Sequence, residues 1–168
     1  ESGLELFSGF RRKGALLAIG EKVAWALVFN RLSAEQAFKI SFFENALTRG
    51  LNLIERAMAV KILKRLSING QEIMNNYFQK VSINLGLAEI EKLEGLLELE
   101  EEWKTYLVER EINTRLALFL LGYSKEERDK LKILISLGAS ASQFREALIM
   151  LSEIGKRDGL KITQILQT

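Results

Sequence analysis

Arg11-Arg12 and Glu44-Asn45 are the residues whose types and spacing best suit chemistry. Arg11 and Arg12 follow a short apolar stretch and Gly9, at what reads as a strand-to-helix turn. Adjacent guanidiniums beside the free N–H groups of a helix start are suited to hold phosphate. Positive charge in a first helical turn also opposes the helix dipole by about 0.3–1 kcal/mol, and a bound anion relieves that cost. Glu44 and Asn45 lie one helix later, ahead of Leu51-Asn52-Leu53-Ile54-Glu55. Their hard oxygens suit Mg²⁺ or the positioning of a nucleotide. Glu44 near a helix end is unfavourable to the dipole, which points towards function; Asn45 there is also common on conformational grounds alone. A third group, Lys61, Lys64 and Arg65, shares one stretch of helix with little acid near it in sequence. It is the best candidate for contact with nucleic-acid phosphates. Other basic groups, around Lys125–Lys132 and at Lys156, Arg157 and Lys161, read as solvated faces.

Composition limits the chemistry open to these residues. The 168 residues contain no histidine, cysteine or proline. Disulfides, thiol nucleophiles, imidazole bases and the usual zinc sites are therefore excluded. What remains is carboxylate, lysine, arginine, hydroxyl and hard-metal chemistry. A net charge of +2 neither requires nor forbids nucleic acid, because local clustering decides that. No apolar run approaches the roughly 18 residues of a membrane span, and no signal-peptide pattern appears, so the chain reads as cytoplasmic with no membrane partner.

The elements that must position the clusters are mostly helical. Leu4–Phe7 is a short strand candidate, and Phe10 to Ile19 a helix stopped by Gly20. Val23–Phe29 is apolar on both alternating faces, which indicates a strand buried on both sides. Two strands cannot achieve that burial, so the sequence reads as starting inside a domain whose first strands lie before Glu1. Beyond Phe29 the pattern is helical. Ser33 with Gln36, Asn52 with Glu55, Asn69 with Glu72, Ser124 with Glu127 and Ser140 with Gln143 are capping boxes that mark helix starts. Further helices are expected over about 87–99, 100–109 and 112–121.

The order of these motifs resembles the ParB family of chromosome and plasmid partition proteins. That family reads strand, Gly-Glu-Arg-Arg-x-Arg-Ala, helix, strand, helix, then Glu-Asn-x-x-Arg and Leu-Asn-Pro-Ile-Glu. Here stand Gly9-Phe10-Arg11-Arg12-Lys13-Gly14-Ala15, Glu44-Asn45-Ala46-Leu47-Thr48-Arg49 and Leu51-Asn52-Leu53-Ile54-Glu55. Phe10 replaces the family's first Glu, Gly14 its last Arg, Leu47-Thr48 a Gln-Arg and Leu53 a proline. The resemblance implies a fold that is mainly α with a small β element. Residues 1–50 would be the C-terminal part of a ParB-type α/β nucleotide-binding domain, and 51–168 an all-helical domain with a helix-turn-helix-like segment.

By resemblance, Gly9, Arg11, Arg12 and Asn45 bind nucleotide, CTP or another. Glu44 and Asn45 hold Mg²⁺, and Glu44 is the catalytic carboxylate of what is at most a weak CTPase. The family also implies a homodimer, DNA and a partition ATPase as partners, and a nucleotide-dependent switch. The DNA-reading unit would be Asn69–Val81 followed by Gly86–Leu97. Asn75, Asn76, Tyr77 and Gln79 are polar positions on its first helix. Its second helix begins Gly86-Leu87-Ala88, and over 86–102 carries Glu89, Glu91, Glu94, Glu98, Glu100, Glu101 and Glu102 against Lys92 alone. Such a face repels a duplex. The alternative is a non-enzymatic ParB-like module that binds a protein partner rather than DNA.

Overall fold

A computed structural model describes residues 3–160 and 162–166; Lys161 lies outside them. The chain divides into two compact units, 1–50 and 51–168.

In the first unit, α1 (Phe10–Ala18) and α2 (Ala34–Arg49) are the regular elements. Gly9 precedes α1 at φ 88°, in the left-handed region that side chains rarely adopt. Gly20 ends the helix at φ 80°, and the Glu21 amide returns to the Leu16 carbonyl. Ser33 starts α2 through a reciprocal capping box with Gln36.

The expected strands Leu4–Phe7 and Val23–Phe29 do not form: among the described residues there is no strand. A strand is defined by a partner that takes its N–H and C=O groups, and no other segment among the described residues supplies one. Val23–Phe29, expected to be buried on both faces, is exposed throughout, Trp25 completely. Within 3–50 only Phe42 is buried.

The second unit holds most of the core. It runs α3 (Leu53–Arg65), α4 (Gly70–Ile73), a π turn (Met74–Phe78), a 3₁₀ turn (Gln79–Val81), α5 (Leu87–Leu93), a 3₁₀ turn (Glu94–Glu98), α6 (Glu101–Glu109) and α7 (Thr114–Phe119). After a 3₁₀ turn (Leu120–Gly122) come α8 (Lys125–Leu131), α9 (Ile133–Ser136), α10 (Ala141–Asp158) and α11 (Ile162–Ile165). Asn52, Ser124 and Ser140 form reciprocal capping boxes, and Asn69 accepts from the Glu72 amide. Asn113 caps α7 in the same way, accepting from the Leu116 amide at 3.0 Å.

Leu63 from α3, Leu93 from α5, Leu96 from the following turn and Leu107 from α6 are fully buried where these elements meet. Trp103, Tyr106 and Phe144 form a ring cluster with centroids 5.4–5.9 Å apart. The Tyr106 hydroxyl donates to the Ala139 carbonyl at 2.8 Å, tying α6 to the start of α10. Across α6 and α8, Arg128 grips Glu100 through Nε and Nη2, both at 3.0 Å, and donates to the Tyr123 carbonyl at 2.7 Å.

Candidate functional site

At the start of α1 no side chain among the described residues caps the free amides, which leaves them available to an anion. Arg12 folds back over Gly9: its guanidinium would lie 3.7 Å from a Cβ built there. Arg12 and Ser8 both donate to Glu44 of α2, Arg12 through Nη2 to Oε1 and Ser8 through Oγ to Oε2. The Ser8 hydroxyl, followed by the Arg12 charge, holds the Glu44 carboxyl below its ordinary range, against an opposing effect of desolvation. The carboxylate sits beside the first turn of α1, the position that suits a phosphate.

Arg11 is exposed and makes no ion pair among the described residues. Asn45 is turned along its own helix: Nδ2 donates to the Ser41 carbonyl at 2.8 Å, and Oδ1 accepts from Arg49 at 3.3 Å. Thus Gly9, Arg12 and Glu44 come together, while Asn45 is held elsewhere on α2. Ser8 is the residue that sequence reasoning missed. Its only signal there was a hydroxyl directly before the turn glycine.

A concavity of about 920 Å³ adjoins this cluster, lined by Ser8, Gly9, Arg12, Glu44 and the apolar side chains of residues 23–27 and Phe29. That is a volume suited to a small ligand. The residues fit a phosphate, through the α1 amides, Arg11 and Arg12. They fit Mg²⁺ through Glu44 alone. Among the described residues no group of three or more Asp, Glu, His or Cys side chains gathers to hold a metal. A cation at Glu44 would take the rest of its shell from ligand phosphates and water.

The basic group on α3 is divided. Lys64 approaches Glu91 at 3.4 Å and Glu94 at 3.9 Å, and donates to the Glu91 carbonyl at 3.4 Å. The acid that sequence distance concealed is supplied by α5 and the turn after it. Lys61 and Arg65 have no such partner among the described residues.

The acidic helix is correspondingly less repulsive than its composition. Glu89 accepts from the Gly86 amide at 2.7 Å and from Arg115 at 2.9 Å, and these bonds hold its carboxyl below the usual range. Glu100 is taken by Arg128. α4 and α5 pack so closely that a Cβ on Gly70 would fall 2.2 Å from the Glu91 carboxylate and 2.9 Å from Leu87. Leu87 itself is 43% exposed at the start of α5. Asn75 and Asn76 are exposed on the π turn, Gln79 on the turn after it, and Tyr77 is buried in the core.

No protein-family model matches the chain, and no curated protein and no solved structure matches it. Among the described residues no helix is long and apolar enough to cross a membrane.

Proposed function

We propose that the start of α1 is an anion site for the phosphates of a nucleotide, and that the chain is a ParB-like, DNA-associated partition protein in which occupancy acts as a switch. The observation that carries this reading is the convergence of Ser8, Arg12 and Glu44 beside an uncapped helix start. An arriving phosphate meets the α1 amides and Arg11, and competes with Glu44 for Arg12. Displaced from Arg12, Glu44 becomes free to face a cation. Mg²⁺, when bound, neutralises phosphate charge. CTP is the nucleotide implied by the motif order, and any hydrolysis is weak, because Phe10 and Gly14 stand where the family carries charge. Lys61 and Arg65 are the phosphate contacts for DNA on this reading, with a second copy and a partition ATPase as partners.

Calorimetric titration of CTP, ATP and ADP, with and without Mg²⁺, tests the site. Wild type should bind at least one of them, and Arg12→Ala should weaken it about tenfold or more. A wild-type chain that binds none sinks the switch.

One observation favours a second reading, a non-enzymatic module that binds a protein. At the start of α5, where a DNA reader carries polar or basic side chains, stand exposed Leu87 and Ala88. Duplex binding indistinguishable from zero at low salt selects this reading; a steep salt slope selects DNA.

A further inference from the structure

Helices α7 and α10 leave between them a groove of about 430 Å³ that belongs to neither cluster described above. Leu148 is buried at its floor beside Leu116, while Phe119 and Ile149, 58% and 48% exposed, form its apolar walls. On α10 the lining residues Arg145, Leu148, Ile149, Ser152, Glu153 and Lys156 recur at three- and four-residue spacing, so they form one continuous face. Arg145 and Lys156 stand about 16 Å apart along that face, at 1.5 Å per residue. The rim carries Arg115, Arg145 and Lys156 against the single carboxylate of Glu153. Arg115 is spent on Glu89. Arg145 and Lys156 have no ion-pair partner among the described residues, and both are exposed.

We propose that this groove receives an acidic amphipathic helix of another protein. Phe119 and Ile149, open beside Arg145 and Lys156, give this face apolar walls within a cationic rim, the anatomy of an interface with an apolar centre and a polar edge. The span between the two free cations matches about three turns of helix. Anchors at i, i+3, i+4 and i+7 fill the floor between Phe119 and Ile149, and carboxylates at either end meet Arg145 and Lys156. An added β-strand does not suit the groove: both walls are helices, whose amides and carbonyls are already bonded along the axis. Nucleic acid does not suit it either, because the floor is apolar and Glu153 lies within the cationic rim.

The probe is a fluorescein-labelled peptide of about twelve residues, with leucines at i, i+3, i+4 and i+7 and glutamates on the flanking faces. Its anisotropy is followed as the full chain is added. Wild type should bind it in the micromolar range, as small interfaces do. Charge reversal by R145E together with K156E should weaken binding about tenfold or more, and added salt should mimic part of that loss. Phe119→Ser should weaken it comparably. All these sites are exposed, and an unchanged circular dichroism spectrum establishes that the variants fold. The proposal is overturned by equal binding to the variants, by equal binding of a peptide with lysine for glutamate, or by no saturation at about millimolar protein. It is overturned in favour of a second copy if sedimentation shows wild type self-associating and Phe119→Ser abolishes that association.

Discussion

Arg12 of α1 and Glu44 of α2 form an ion pair, side chains 73% and 39% exposed, with Ser8 donating to the second carboxylate oxygen. The cation read from sequence as a phosphate grip and the carboxylate read as a metal ligand thus neutralise each other. On the proposed function, an arriving anion would compete with Glu44 for that one guanidinium.

Glu44→Gln should therefore raise affinity for sulfate at neutral pH, about threefold to tenfold, while Arg11→Ala lowers it. The pH dependence follows from the lowered Glu44 pKa. Protonating Glu44 frees Arg12, so wild-type sulfate affinity should rise only as pH falls below the usual carboxylate range. The Gln variant should show a flat profile across the same interval. Sulfate binding by calorimetry from pH 7 downward checks both, and a wild-type profile as flat as the variant's excludes the competition.

On α3, Lys64 is held by Glu91 and Glu94, whereas Lys61 and Arg65 have no ion-pair partner among the described residues. If the chain binds duplex DNA, Lys61→Ala and Arg65→Ala should each reduce the slope of log affinity against log salt by about 0.9. Lys64→Ala should leave that slope nearly unchanged and lower the thermal midpoint slightly. Fluorescence binding curves at several salt concentrations separate the three.

Glu100 and Arg128 join α6 to α8 with both side chains largely shielded from water. The two Arg128 hydrogen bonds, against the effect of burial, hold the Glu100 carboxyl at about 2, below its ordinary 4.5. A depressed carboxylate pKa contributes stability that is complete above the unfolded value and lost as pH falls through the folded one. Glu100→Gln should cost about 1–3 kcal/mol at neutral pH. That difference should shrink steadily between about pH 4.5 and about pH 2. Urea midpoints of both proteins across this window measure it; a constant difference would falsify the assignment.

Trp103 is fully buried among Tyr106 and Phe144, and its indole N–H has no hydrogen-bond partner among the described residues. Trp103→Ala should destabilise by about 3–5 kcal/mol. Trp103→Phe should cost clearly less, because it removes an unsatisfied buried donor along with the lost volume. Denaturant unfolding followed by far-ultraviolet circular dichroism distinguishes them, and equal losses would mean the donor is satisfied.

The helical framework was legible because caps are local. Ser33, Asn52, Ser124 and Ser140 each find their Glu or Gln three residues on, and each starts a helix where the spacing places it. Leu148 and Phe144 fall on the buried face of α10 for the same reason, since helical periodicity repeats within one turn. The segment Val23–Phe29 was not legible. Its composition fits a doubly buried strand, but a strand depends on a partner distant in sequence, and among the described residues it has none.

The sequence by itself determined where helices begin, which chemistries are excluded, and that Arg11, Arg12 and Glu44 are unusual for their places. Tertiary structure alone decided which charges remain available. It gave Arg12 to Glu44 across 32 positions, Lys64 to Glu91 across 27 and Arg128 to Glu100 across 28. Charge is a property of composition, whereas neutralisation depends on distance between side chains, and only the folded chain sets that distance.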